Sequence, residues 1–118
     1  MRDHTKLRAF ELADELVVLI YRSTRDFPKE EAYGLTSQIR RAAVSVPSNI
    51  VEGCARGSKV EYRRFLEIAF GSLRELSYQF GLSIRLGFIS EMESNIKNCK
   101  LKLTETEKVL GSLLRSTQ

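Results

Sequence analysis

Gln38-Ile39-Arg40-Arg41-Ala42-Ala43-Val44-Ser45-Val46-Pro47-Ser48-Asn49-Ile50-Val51-Glu52-Gly53 is the stretch that decides the fold of this 118-residue chain. Ile39, Ala42, Ala43, Val46 and Ile50 recur at steps of three and four, which predicts a helix with one apolar face. Small residues dominate that face, so a neighbouring helix can approach closely. Pro47 lies inside the pattern and cannot donate to the carbonyl of Ala43, which predicts a kink or a pause. The hydroxyls of Ser45 and Ser48 are the groups expected to satisfy the freed backbone.

Working outward, this helix is expected from about Leu35 to Cys54, with Gly53 and Gly57 bracketing its end. Upstream, a helix is predicted from about Lys6 to Arg25. Leu7, Phe10, Ala13, Val17, Ile20 and Tyr21 make one apolar stripe, and Ala9, Leu12, Leu16 and Leu19 make a second beside it. Together they span about 200°, wider than the roughly 100° that a one-sided surface helix needs. The second stripe, with Leu12, Leu16 and Leu19, is therefore expected to face another copy of the chain. Asp26-Phe27-Pro28 ends the helix, because the residue before proline disfavours helical geometry. Pro28 to Tyr33 can form one acidic turn.

Downstream, Ser58-Lys59-Val60-Glu61 is a capping box that opens a helix extending to about Leu86. Tyr62, Phe65, Leu66, Ala69, Leu73, Leu76, Phe80 and Ile84 form its inward stripe. Ile68, Tyr78 and Leu82 lie off that stripe and join the expected self-association face. Gly87 ends the helix, and Ser90-Glu91-Met92-Glu93 reads as a second capping box. Ile89, Met92, Ile96, Cys99, Leu103, Thr106, Leu110 and Leu113 then alternate steps of three and four, as in a coiled coil. The tail Arg115–Gln118 is expected to fray. With no competing strand pattern, the expectation is all-α: one domain across residues 1–118, folded as an up-down antiparallel four-helix bundle.

Composition narrows the function classes. Apolar residues make up 42% of the chain and charged residues 29%. No apolar run approaches the length of a membrane span, and the charged N-terminus lacks a signal-peptide core, so a cytoplasmic protein is expected. Cys54 and Cys99 fall on different helices without metal-type spacing and read as reduced thiols. The net charge is +4, and the segment Thr36–Arg64 carries all of it. Arg40, Arg41, Arg56, Lys59, Arg63 and Arg64 stand there against only Glu52 and Glu61. Such a segment can serve a phosphate backbone. The competing reading pairs Arg40 and Arg41 with carboxylates of neighbouring helices and leaves the rest solvated.

Catalytic chemistry finds little material. His4 is the single histidine and lies in a terminus expected to be mobile, so a di-iron centre with paired Glu-x-x-His motifs cannot be assembled and a His–Cys nucleophilic pair is not expected. Zinc clusters fail on the same count. Gly53-Cys-Ala-Arg-Gly57-Ser58-Lys59 faintly echoes a phosphate loop, but it is one residue short, follows a helix, and places lysine after serine. It reads as an interhelical turn. Asn49 and Glu52, three apart, form either a small ligand pocket or a polar cluster that pairs with an arginine or caps backbone groups. Gly71-Ser72 reads as close helix packing. No cofactor or metal is implied.

The stretch Gln38–Gly53 resembles the signature of the bacterial four-helix-bundle proteins encoded by intervening sequences in 23S (large-subunit) ribosomal RNA genes. Phe27-Pro28-Lys29-Glu30-Glu31, Tyr33-Gly34-Leu35, Phe65-Leu66-Glu67-Ile68-Ala69, Gly71-Ser72 and Glu75-Leu76 fit the same family, so the resemblance spans most of the chain. Phe10 stands where that family usually carries a larger aromatic, a difference of packing. The resemblance implies a homopentameric ring of bundles. The accessory variability protein of diversity-generating retroelements is similar in fold and binds nucleic acid with a reverse transcriptase. The resulting expectation is a non-enzymatic homo-oligomer that contacts RNA or DNA through its basic segment, with a protein-interaction scaffold as the alternative.

Overall fold

The computed structural model describes all 118 residues. Its four long helices are α1 (Arg8–Ser23), α2 (Leu35–Cys54), α3 (Lys59–Arg85) and α4 (Ser94–Arg115), with short 3₁₀ turns at His4–Lys6 and Lys29–Glu31. Each helix packs on its chain neighbours, and α4 closes back onto α1, with α2 and α3 the most extensively packed pair. This is the all-α four-helix bundle expected from the periodicity. At about 1.5 Å per residue, the 27 residues of α3 span about 40 Å, close to the 43 Å long axis of the molecule.

The core is built from the expected stripes. Ile20, Ile39, Val46, Ile50, Leu66, Leu73, Leu76, Ile96 and Leu110 are all fully buried. Ala42, Ala43 and Ala69 keep the helices close, and Gly53 takes this furthest. A Cβ at Gly53 would meet the Cβ of Phe65 at 2.9 Å and the carbonyl of Tyr62 at 3.3 Å. Gly53 therefore lies within the buried end of α2 as a contact point, rather than terminating the helix.

α1 departs from expectation in a way that matters for self-association. Leu12 and Leu16 are 0% and 1% exposed within a single chain, and Leu19 is half-buried against the same core. The wide apolar arc has a simple cause: α1 packs on both α2 and α4, which cover it from two sides and leave Tyr21 exposed. Leu12 and Leu16 are core residues and do not form a face between copies.

Three local expectations also change. α2 runs unbroken through the buried Pro47. Ser45 does not heal the backbone there; its hydroxyl bonds that of Ser72 at 2.8 Å and accepts from Asn49 Nδ2 at 3.0 Å. The box at Ser90 closes a turn, with Ser90 Oγ accepting from the amide of Met92 at 3.1 Å, and α4 starts only at Ser94. Met92 is consequently exposed rather than part of the α4 stripe. The box at Ser58 forms in one direction: Ser58 Oγ accepts from the Glu61 amide at 3.1 Å, while the Glu61 carboxylate reaches Arg64 at 3.6 Å.

At the other end of α3, Gly87 adopts φ +77, and its amide donates to the Ile84 carbonyl at 3.0 Å. The Phe88 amide donates to the Ser83 carbonyl, also at 3.0 Å, completing a Schellman stop. The turn delivers Phe88 against Phe27, ring centroids 5.4 Å apart, and so ties the α3 exit to the α1 exit.

Candidate functional site

The six cations of the basic segment do not form one patch. Arg40 and Arg41 lie early in α2, while Arg56 follows its end. The intervening helix separates Arg41 from Arg56 by about 22 Å at about 1.5 Å per residue. Arg56, Lys59, Arg63 and Arg64 gather at the α2–α3 turn, and Arg40 and Arg41 border a groove nearer the opposite end.

At the turn, Ser58 caps α3 and fixes the helical register that places Lys59 and Arg63 on one face. Arg56 pairs with Glu52 at 2.6 Å, Arg63 with Glu67 at 3.8 Å and Arg64 with Glu61 at 3.6 Å. All three pairs are substantially solvent-exposed, where an ion pair contributes only about 0–1 kcal/mol. Their cations thus remain available to a multivalent anion. Lys59 is exposed and makes no ion pair. The guanidinium groups of Arg56 and Arg64 lie 4.9 and 5.6 Å from the centre of the Phe65 ring, which holds both at the surface. The Nε of Arg56 is buried without an acceptor.

Sequence reasoning missed a fifth cation. The Arg2 amide donates to the carbonyl of Cys54 at 2.8 Å, and the Arg2 guanidinium lies 3.8 Å from the centre of the Tyr62 ring. The N-terminus is thereby pinned beside the α2–α3 turn. Burial raises both the Tyr62 hydroxyl and the Cys54 thiol above their ordinary pKa values, while the Arg2 charge acts in the opposite sense on each. Nothing in the local sequence around Arg2 signals this contact, which depends on the fold bringing the two ends of α1 and α2 together.

The remaining candidates separate. Arg40 donates from Nε to Thr24 Oγ1 at 2.9 Å and from Nη2 to the Tyr21 carbonyl at 3.4 Å, and stacks over the Tyr21 ring at 4.6 Å. Arg40 meets the end of α1 rather than a carboxylate. Arg41, one position on, is exposed and free of ion pairs. Asn49 and Glu52 do not share a pocket: Asn49 Nδ2 donates to the Ser45 carbonyl at 2.8 Å, and Glu52 holds Arg56. Ser72 makes the helix-to-helix contact, whereas a Cβ at Gly71 would meet nothing within 4 Å.

Of the residues expected at an interface between copies, Ile68 and Tyr78 are exposed, Tyr78 to 62%, and Leu82 is half-buried. Val60 and Leu86 extend the same solvent face of α3, and Val44 and Val51 are exposed on α2. Cys54 and Cys99 are both free and buried. Burial pushes the Cys99 thiol up to about 11. No group of three or more His, Cys, Asp or Glu side chains comes together as a metal site. No helix is long and apolar enough to cross a membrane.

Comparison with known proteins supports this architecture. The family model described as 23S rRNA-intervening sequence protein matches residues 5–112. No curated protein sequence matches the chain. Among solved structures, the crystal structure of a protein of unknown function from the S23 ribosomal protein family of Bacteroides thetaiotaomicron VPI-5482 aligns with a TM-score of 0.79. That alignment covers 90% of this chain and 97% of the other at 23% identity, a likeness of fold.

Proposed function

We propose, for a chain that belongs to the 23S rRNA-intervening sequence protein family, a non-catalytic role as a self-associating helical bundle that contacts the phosphate backbone of nucleic acid. The observation that carries this reading is the gathering of Arg2, Arg56, Lys59, Arg63 and Arg64 at one end of the bundle, with only exposed, weakly held carboxylates among them. Self-association, five-fold by family resemblance, is supported by Val60, Ile68, Tyr78 and Leu86 on the solvent face of α3. A ring of copies repeats the basic end and turns weak phosphate contacts into avidity.

The joint change Arg56→Ala, Lys59→Ala, Arg63→Ala tests the reading. It is expected to abolish duplex RNA binding at low salt while light scattering still reports the wild-type mass. A second reading, a protein-interaction scaffold, is favoured by the same exposed α3 side chains. It becomes the better one if wild-type protein binds neither RNA nor DNA.

A further inference from the structure

A groove of about 580 Å³ lies between the end of α1, the turn at Ala32–Tyr33 and the start of α2. Its walls include Tyr21, Tyr33, Thr36, Arg40, Arg41 and Val44, and its lining contains two arginines and no carboxylate. It is separate from the α2–α3 turn and uses none of the five cations gathered there.

The walls differ in how they are held. Arg40 is locked by its bonds to Thr24 and Tyr21 and stacks on Tyr21, giving the groove a fixed cationic side. Arg41 is exposed and its guanidinium is unpaired. The Tyr33 side chain is fully exposed, at 101%, and so packs on nothing in this chain. Its backbone is held in the turn by hydrogen bonds: the Ala32 amide donates to the Lys29 carbonyl at 3.1 Å and the Gly34 amide to the Glu31 carbonyl at 2.9 Å. An exposed ring, a guanidinium in no ion pair and a lining without a carboxylate suit a ligand with a flat face and a phosphate.

We propose that this groove takes one nucleotide of a single-stranded nucleic acid, its base stacked on Tyr33 and its phosphate on Arg41. A duplex keeps its bases stacked on one another and cannot offer this contact, whereas an open strand can. The inference rests on the nucleic-acid reading for the class of ligand, and adds a second surface and a preference for unpaired strands.

The test is a low-salt anisotropy titration of the full chain with a labelled oligouridylate and with a hairpin duplex of equal phosphate number. Wild-type protein is expected to bind the single strand more tightly than the duplex. Tyr33→Ala is expected to weaken single-strand binding at least about fivefold and leave duplex binding unchanged, because stacking is lost while the cations remain. Tyr33→Phe keeps the face and is expected to bind as wild type. Arg41→Ala is expected to weaken single-strand binding and lower its salt slope by about one phosphate contact. Both residues are exposed, so these variants leave the core intact. Duplex binding without single-strand preference, or an unaltered Tyr33→Ala, overturns the groove and leaves the backbone reading standing. Binding of neither nucleic acid removes both.

Discussion

The hydroxyl of Ser45 on α2 lies 2.8 Å from that of Ser72 on α3, a hydrogen bond across the most extensively packed helix pair of the bundle. It forms because small residues line this seam and bring the two backbones near. Asn49 adds to it by donating to both the carbonyl and the hydroxyl of Ser45. The family-like stretch of α2 therefore fastens the helix on which both candidate surfaces depend.

Replacing either serine by alanine is expected to cost about 0.5–1.5 kcal/mol, the net worth of one partly exposed hydrogen bond. The double replacement should cost less than the sum of the singles, since neither hydroxyl is left waiting for the other. Urea denaturation of the four-member cycle checks this. Additive losses would show that the two hydroxyls act independently.

Gly53→Ala should destabilise the bundle by about 1–3 kcal/mol, because the new methyl group meets the Phe65 Cβ and the Tyr62 carbonyl, neither of which is a flexible side-chain end. Gly71→Ala, in open space on α3, should instead stabilise by about 0.5–1 kcal/mol through helix propensity. Thermal melting of the two variants is predicted to move in opposite directions.

Leu16→Glu should unfold the protein, since it places a carboxylate in a fully buried site. Tyr78→Glu, on the exposed face of α3, should leave helicity intact and reduce the mass of any assembly. Circular dichroism with light scattering on the same samples distinguishes a core position from an interface position. A folded, dissociated Leu16→Glu variant would put α1 back at the interface.

Much of this architecture was legible in periodicity, and the misses share a physical cause. Steps of three and four located α2 and the buried stripe of α4, and Ser58 marked the start of α3. The width of the α1 arc is plain in the sequence, but width does not reveal whether one neighbouring helix or two will cover it, and in the fold two helices bury Leu12 and Leu16. Ser90 satisfies a capping pattern locally, yet a turn uses the same hydroxyl, and the helix starts later. Arg2, Tyr33 and the separation of Arg41 from Arg56 depend on segments distant in sequence meeting in space. No local pattern encodes them.

Stability should fall at alkaline pH, with Cys99 as a main contributor. Burial pushes its thiol from the ordinary 9.0 up to about 11, opposed by a hydrogen bond to Ser23. A raised pKa means that the folded state keeps a proton which the unfolded chain loses first. Its contribution is therefore complete below pH 9 and is lost as pH rises toward about 11. The pKa values of Cys54, Tyr62 and Lys102 are raised as well, and they act in the same sense. The urea midpoint is expected to drop across that interval, and to drop less in Cys99→Ala. Equal slopes in the two proteins would show that Cys99 plays no part.

The salt dependence of RNA binding by wild-type protein, measured alongside the Arg56→Ala, Lys59→Ala, Arg63→Ala variant, tests the central claim most directly. Contacts from a basic bundle end to phosphates release counterions, so the logarithm of affinity should fall linearly and steeply with the logarithm of salt, with little regard to sequence. The triple variant should bind duplex RNA too weakly to give a slope while keeping the wild-type oligomeric mass. Wild-type protein that fails to bind RNA or DNA at low salt, or a triple variant that binds with the wild-type slope, would contradict the account.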